Sequence, residues 1–131
     1  GNPLSCAAAI ETMRLIEEKY MDNSAAVGQY TLDALEEIAA RHPSLGDVRG
    51  KGLMIGVEFV KDKATKERGI DIRNAMVHSA FEHGLLLLGC GRNTVRITPP
   101  LNVTEAEINE GLEIFEAAVT EAEAKLLMAN S

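Results

Sequence analysis

Apolar positions recur along this chain at two periods, and the change of period marks the elements. From Pro3 to about Lys19, Leu4, Ala7, Ala8, Ile10, Met13, Leu15 and Ile16 occupy most of a helical circumference. Such a helix needs cover from more than one neighbour, and Glu17, Glu18 and Lys19 mark its exposed end. Asn2 is a good N-cap, and Pro3 suits the first helical position, whose N–H has no helical partner anyway. Met21-Asp-Asn-Ser24 interrupts the pattern and offers a fresh cap. A second helix then runs to about Arg41, with Val27, Thr31, Ala34, Leu35 and Ile38 inside and Asp33, Glu36 and Glu37 outside. His42-Pro43 ends it, because the residue before proline avoids the α conformation.

The period then drops to two. Val48-Arg-Gly-Lys-Gly52 leads into a strand in which Leu53, Ile55, Val57 and Phe59 share one face. Met54, Gly56 and Glu58 share the other, and Gly56 offers room for a second backbone to approach. Lys61 to Gly69 is a charged loop, expected to be the most mobile part. Ile70 to His83 is a third helix, with Ile72, Ala75, Met76, Ala80 and Phe81 facing in and Gly84 closing it. Leu85 to Leu88 reads as a short, fully apolar strand, and Gly89-Cys-Gly91 with Arg92-Asn93 turns the chain. In the next strand Val95 and Ile97 alternate with Thr94 and Arg96 until Pro99 and Pro100, which cannot donate to a ladder, end it. Thr104 and Glu107 form a capping box, and the last helix follows with the stripe Ile108, Leu112, Phe115, Val119, Ala122 and Leu126, fraying near Asn130. The expected fold class is α+β: a small three-stranded antiparallel sheet covered on one side by helices.

Length and charge narrow the function. A chain of 131 residues makes one domain with its own core. Thirteen Lys and Arg against 20 Asp and Glu leave a net charge of −7, which argues against nucleic acid or an anionic membrane as partner. No apolar run is long enough to span a membrane and no signal peptide is visible, so a soluble, cytoplasmic protein is expected. The chain opens on Gly1-Asn-Pro with no methionine, directly at a helix start, which suggests a fragment cut at a domain boundary.

Most candidate chemistry is absent. Cys6 and Cys90 are too few and too distant for a disulfide framework or a metal site, and Cys6 reads as a small core residue. His42, His78 and His83 are scattered and read as surface histidines, so no metal site is expected. Gly50-x-Gly52 and Gly89-x-Gly91 do not complete a nucleotide fingerprint and are better taken as turn glycines. No histidine stands beside Cys90 to make a nucleophile, and no lysine sits in an apolar setting suited to Schiff-base chemistry, so no catalytic residue is assigned. What stands out is Arg96, held on a short strand one step from a stiff Pro-Pro corner. A guanidinium fork so placed suits a planar carboxylate, although the same spacing also suits a surface arginine in a solvated salt bridge.

The stretch Thr94-Val-Arg-Ile-Thr-Pro-Pro-Leu101, followed by Thr104 and Glu107, resembles the C-terminal segment of class III pyridoxal-phosphate aminotransferases, the group that holds 4-aminobutyrate and acetylornithine aminotransferases. Gly1-Asn-Pro-Leu-Ser-Cys-Ala-Ala-Ala9 is similar to the end of that family's Gly-Gly-Asn-Pro element. Val48-Arg-Gly-Lys-Gly-Leu-Met-Ile-Gly-Val-Glu58 is similar to its Val-Arg-Gly-x-Gly-Leu-Met strand. The resemblance implies that residues 1–131 are the C-terminal small domain of a fold-type I enzyme. The large domain, with the Schiff-base lysine, would precede Gly1, and this piece alone would be inactive. It also implies that Arg96 grips the substrate carboxylate, while Gly1 and Asn2 merely adjoin the cofactor-binding element. The whole enzyme would bind pyridoxal phosphate and work as a homodimer. It would move an amino group from a 4-aminobutyrate-like or ornithine-like donor to a 2-oxo acid such as 2-oxoglutarate. Some family members are racemases or aminomutases, and this segment does not separate them from transaminases. A free-standing binding or regulatory module is the alternative of another class; the methionine-free start and the order of the three motifs count against it.

Overall fold

Val57 and Phe59 have no exposed surface, and the sheet extends in both directions from the strand that carries them. The computed structural model describes residues 1–126. Its central strand, β2 (Met54–Asp62), pairs antiparallel with β1 (Leu45–Lys51) on one side and β5 (Thr94–Ile97) on the other. β4 (Leu88–Cys90) continues the sheet beyond β5, and the short β3 (Glu67–Arg68) pairs with the end of β2. Ile55, Val57, Phe59 and Val95 bury one face against α2 (Met21–Arg41), α3 (Ile70–Glu82) and α4 (Glu105–Leu126) through Leu35, Met76, Phe115 and Val119.

The sheet has five strands where the pattern predicted three. β1 escaped because Leu45 is its one buried residue and Val48 is half-buried, while Asp47, Arg49 and Lys51 face solvent. β3 has no apolar residue at all. Leu85 to Leu88 is not a buried strand: Leu86 and Leu88 are exposed, Leu85 and Leu87 half-buried, and pairing starts at Leu88. Among the described residues β4 is an edge strand, and Leu86 and Leu88 face away from the core, an alternation that four leucines in a row conceal. Phe81, expected inside, is exposed.

The first two helices form one nearly continuous rod. α1 (Pro3–Leu15) passes through a wider π turn (Ile16–Tyr20) directly into α2. Asn2 caps α1 as expected, its Oδ1 accepting from the amides of Leu4 at 2.9 Å and Ser5 at 3.3 Å. The polar residues read as a second cap do other work. Asn23 donates to the carbonyls of Leu101 at 2.7 Å and Val103 at 3.1 Å, and Ser24 Oγ accepts from the Leu53 amide at 3.2 Å. They tie the helix to the β1–β2 hairpin and to the segment after β5. No residue of α1 is buried, and among the described residues α1 packs against nothing except the turn that continues it. Its apolar circumference is therefore uncovered, and Cys6, expected in a core, is exposed.

Where α2 ends, His42 takes an extended conformation with φ −114° and ψ 122°. That exit sets its ring against α4, so His42 is buried and not the surface residue expected. Nδ1 lies 2.8 Å from Glu123 Oε2, and Glu123 Oε1 accepts from the Ser44 amide at 3.0 Å. Arg41 donates to Glu116 at 2.8 Å. α4 starts at the expected capping box, with the Thr104 amide donating to Glu107 Oε2 at 2.9 Å and the Glu107 amide to Thr104 Oγ1 at 3.3 Å. The expected fraying near Asn130 lies outside the described residues. The stretch from Lys61 to Gly69, expected as a charged loop, is partly strand: Lys61 and Asp62 end β2 and Glu67–Arg68 is β3, with Lys61 paired to Glu67 at 2.7 Å and the Thr65 amide donating to Asp62 at 2.7 Å.

Two glycines make opposite demands. The close approach expected at Gly56 occurs at Gly28 in α2, where an added Cβ would lie 2.3 Å from the carbonyl carbon of Gly52. Gly52 turns the hairpin at φ +55° beneath the helix. Gly111, mid-way along α4, has space, and a Cβ there would touch Leu85 Cδ1 at 3.8 Å. Gly111→Ala should therefore raise stability by about 0.5–1 kcal/mol through helix propensity. Gly28→Ala should lower it by about 1–3 kcal/mol through overpacking. Urea unfolding of the two variants checks this, and the reverse order would contradict the packing described.

A second prediction concerns pH. The hydrogen bond from Arg41 holds the Glu116 carboxyl below its ordinary value of 4.5, against the opposing effect of burial and with help from His42. A carboxyl with a lowered folded value adds stability that is complete above the unfolded value and lost as pH falls through the folded one. Arg41→Gln should cost about 0.2–1 kcal/mol at neutral pH, the range of a half-exposed pair. The difference from the parent should close as pH drops below the carboxylate range. A difference independent of pH would assign Arg41 a packing role instead.

Candidate functional site

One face of the sheet is covered by helices and the other is open. Strand alternation places Asp47, Arg49, Met54, Gly56, Glu58, Thr94, Arg96, Leu88 and Cys90 on the open side. The ladder registers align Arg49 with Gly56, Gly56 with Arg96, and Arg96 with Leu88, so one row crosses four strands. Glycine in that row leaves the floor between the two arginines bare.

The two arginines differ in what they hold. Arg49 is bonded to Asp47 and, at 3.1 Å, to Glu58; these contacts, that to Asp47 foremost, push its pKa above the ordinary arginine value. Arg96 is exposed and has no hydrogen-bonded or ion-paired side-chain partner among the described residues. It is a permanent cation with a planar set of donors not taken up within the fold. Beside it lies a groove of about 490 Å³ lined by Leu85, Leu86, Leu87, Leu88, Ile97, Thr98 and Pro99. A smaller apolar cavity of about 120 Å³ lies between Ile97, Pro99 and α4, on the covered side.

The strand that presents Arg96 is held from several directions. Val95 is fully buried beneath it. Just upstream, buried Asn93 donates to the Phe59 carbonyl at 2.7 Å, while its own carbonyl accepts from the Phe59 amide at 2.7 Å. Arg73 of α3 donates to the carbonyls of Arg92 at 3.1 Å and Thr94 at 3.4 Å. Sequence reasoning missed both residues. The available signal was Gly89, read as a turn glycine: a Cβ there would lie 2.0 Å from Arg73 Nη1, so its absence makes room for that guanidinium. Gly1 and Asn2, by contrast, sit at the far end of the exposed α1 and do not line the groove beside Arg96.

Residues 1–119 match the family described as aminotransferase class-III. The chain belongs to the class III aminotransferases. It is 40% identical over 124 residues to the leucine/methionine racemase of Thermococcus litoralis, a match covering 94% of this chain and 28% of the racemase. It is 38% identical over 125 residues to the 4-aminobutyrate aminotransferase of Escherichia coli, covering 93% of this chain and 29% of that enzyme. Its fold matches a Bacillus anthracis aminotransferase structure with a TM-score of 0.87 at 34% identity, covering 92% of this chain and 28% of that one. This class III aminotransferase chain therefore spans less than a third of the length of these relatives. The α+β architecture, an antiparallel sheet with helices on one face, is that of the family.

The described residues of this class III aminotransferase chain do not by themselves fit pyridoxal phosphate. Lys19, Lys51, Lys61, Lys63, Lys66 and Lys125 are all exposed, and none is enclosed with acidic and aromatic partners that would hold a pyridine ring. What the described residues do offer is a guanidinium with no ion-pair partner among them, carried on a fixed strand beside an apolar groove.

If Arg73 fixes that strand, Arg73→Met should speed amide exchange in β5 and lower stability by about 1–3 kcal/mol, since two carbonyls lose a charged donor. Gly89→Ala should do the same by displacing the guanidinium. Unchanged exchange at Val95 and Ile97 in both variants would show that the clamp does not hold the strand.

Proposed function

We propose that this chain is the C-terminal small domain of a pyridoxal-phosphate-dependent aminotransferase, and that Arg96 binds the substrate carboxylate. The observation that carries the proposal is the unpaired guanidinium on a strand fixed by β2, β4 and Arg73, facing a groove large enough for an amino acid. Pyridoxal phosphate, held by residues outside this chain, supplies the electron sink for moving an amino group from an amino acid to a 2-oxo acid. Arg96 takes a carboxylate through two parallel N–H donors and so orients the substrate; it transfers no proton. The family membership and the 4-aminobutyrate aminotransferase among the relatives support amino transfer. The 40% identity to a leucine/methionine racemase supports a second reading, racemisation, in which the same carboxylate grip serves. The proposal includes a cytoplasmic homodimer in which the rest of the enzyme and a partner subunit cover Leu4, Ile10 and Met13 of α1, all exposed here.

In the holoenzyme, Arg96→Ala should lower kcat/KM of both half-reactions by about tenfold to a hundredfold, the value of roughly 1.5–3 kcal/mol for a charge-assisted contact. Arg96→Lys should recover part of that, because an ammonium does not reproduce the planar fork. Affinity for pyridoxal phosphate should be nearly unchanged. Kept kcat/KM, or loss of cofactor in place of substrate, would refute the assignment. Nitrogen-labelled amino acid separates the two readings: label in the amino acid formed from the 2-oxo acid acceptor indicates transamination, whereas retained label with inverted configuration indicates racemisation.

A further inference from the structure

We infer that Arg73 is a positioning residue for the proposed reaction, setting from the helix side of the sheet where Arg96 meets a carboxylate. The inference rests on the reading of Arg96 as the carboxylate grip. Gly89 and Val95 are paired across β4 and β5, and Val95 is fully buried on the helix side. The side chain that Gly89 lacks therefore leaves a space on that side. The Arg73 guanidinium fills it, since a Cβ on Gly89 would lie 2.0 Å from Nη1. Arg96 follows Val95 in the strand and points to the opposite face. Arg73 thus acts on a substrate only through the backbone that carries Arg96.

That backbone belongs to a ring of hydrogen bonds that starts and ends on Phe59 of β2. The Phe59 carbonyl accepts from the Gly69 amide at 3.0 Å, and the Gly69 carbonyl accepts from the Arg73 amide at 3.0 Å. The Arg73 side chain then reaches across to the turn between β4 and β5. Nη2 donates to the Arg92 carbonyl at 3.1 Å and Nη1 to the Thr94 carbonyl at 3.4 Å. Between those two residues stands Asn93, whose carbonyl accepts from the Phe59 amide at 2.7 Å and whose Nδ2 donates back to the Phe59 carbonyl at 2.7 Å. The anchor is firm, because Ile72 and Met76 bury this turn of α3 in the core. A planar fork holds both carbonyls at once, where an ammonium would hold one. The fork is so turned that Nε, buried, meets no acceptor among the described residues, a cost set against keeping the two carbonyls in place. Opening the ring at Arg73 frees the turn to shift against β2, and a misplacement of about 1 Å at a gripping group costs on the order of a hundredfold in rate.

The test is a double-mutant cycle in the holoenzyme, read as kcat/KM and as the calorimetric Kd for glutarate, an unreactive carboxylate. Arg73→Met and Gly89→Ala, the second of which displaces the guanidinium without removing it, are each made alone and together with Arg96→Ala. Alone, each should lower kcat/KM and raise the glutarate Kd by at least about fivefold; beside Arg96→Ala each should change them by less than about twofold. Arg73→Lys should fall between the parent and Arg73→Met. Affinity for pyridoxal phosphate should stay within about twofold, since neither residue approaches the cofactor on this reading. Gly89→Ala keeps the test decisive if Arg73→Met fails to fold. Equal losses with and without Arg96 would mean that Arg73 merely stiffens the domain, and parent-like values for both single variants would mean that the clamp does not reach the grip. Either result overturns the positioning role and leaves the grip standing. If Arg96→Ala alone changes neither kcat/KM nor the glutarate Kd, the grip itself is refuted and the positioning role falls with it.

Discussion

Burial of one face of β2 fixes everything on the other. Ile55, Val57 and Phe59 lie against Leu35, Met76 and Phe115, so the pairing of β2 with β5 has one register that keeps apolar side chains together. Side chains alternate with a period of two, and a slip of one residue in β5 would drive Arg96 into the core and Val95 into water. The cost of burying an unpaired guanidinium excludes that alternative. Asn93, Arg73 and the close contact of Gly28 with Gly52 then hold the two strands and the hairpin at set distances from the helices. The position of Arg96 is thus a consequence of core packing on the opposite face of the same sheet.

The open face shows how one residue type is put to two uses. Arg49 and Arg96 flank the same glycine, yet Arg49 closes a charge cluster with Asp47 and Glu58, and Arg96 has no such partner among the described residues. The first arrangement neutralises β1 and β2 locally. The second leaves a cation beside an apolar groove, where a carboxylate would be recognised by charge and shape together. On the proposed reading, such a domain would position a substrate without deciding the fate of its bonds. That division agrees with finding both a racemase and an aminotransferase among relatives about equally similar to this chain.

Much of this was legible in the sequence, and the exceptions share a cause. The buried face of β2, the Asn2 cap, the His42-Pro43 stop, the Thr104–Glu107 box and the inward stripe of α4 are local signals, each set by neighbours within a few residues. β1 and β3 were invisible because edge strands need no apolar alternation. Asn23, Ser24, His42 and Arg73 were misread or missed because their partners lie 29, 78 or 81 residues away, or 19 and 21 in the case of Arg73. Polar residues that look like caps or surface positions gain their roles from tertiary neighbours that no local pattern encodes. The apolar helix α1 is the opposite case, since its composition calls for cover that the described residues do not provide. Arg96 was singled out from the strand and the Pro-Pro corner, but its lack of an ion-pair partner among the described residues could be seen only in three dimensions.

The most direct test of the account is a crystal structure of the holoenzyme with a bound monocarboxylate inhibitor. The account predicts both carboxylate oxygens within about 2.7–2.9 Å of the Arg96 guanidinium, in a parallel two-bond arrangement. Arg96 paired with a protein carboxylate, with the inhibitor held by other residues, would contradict it.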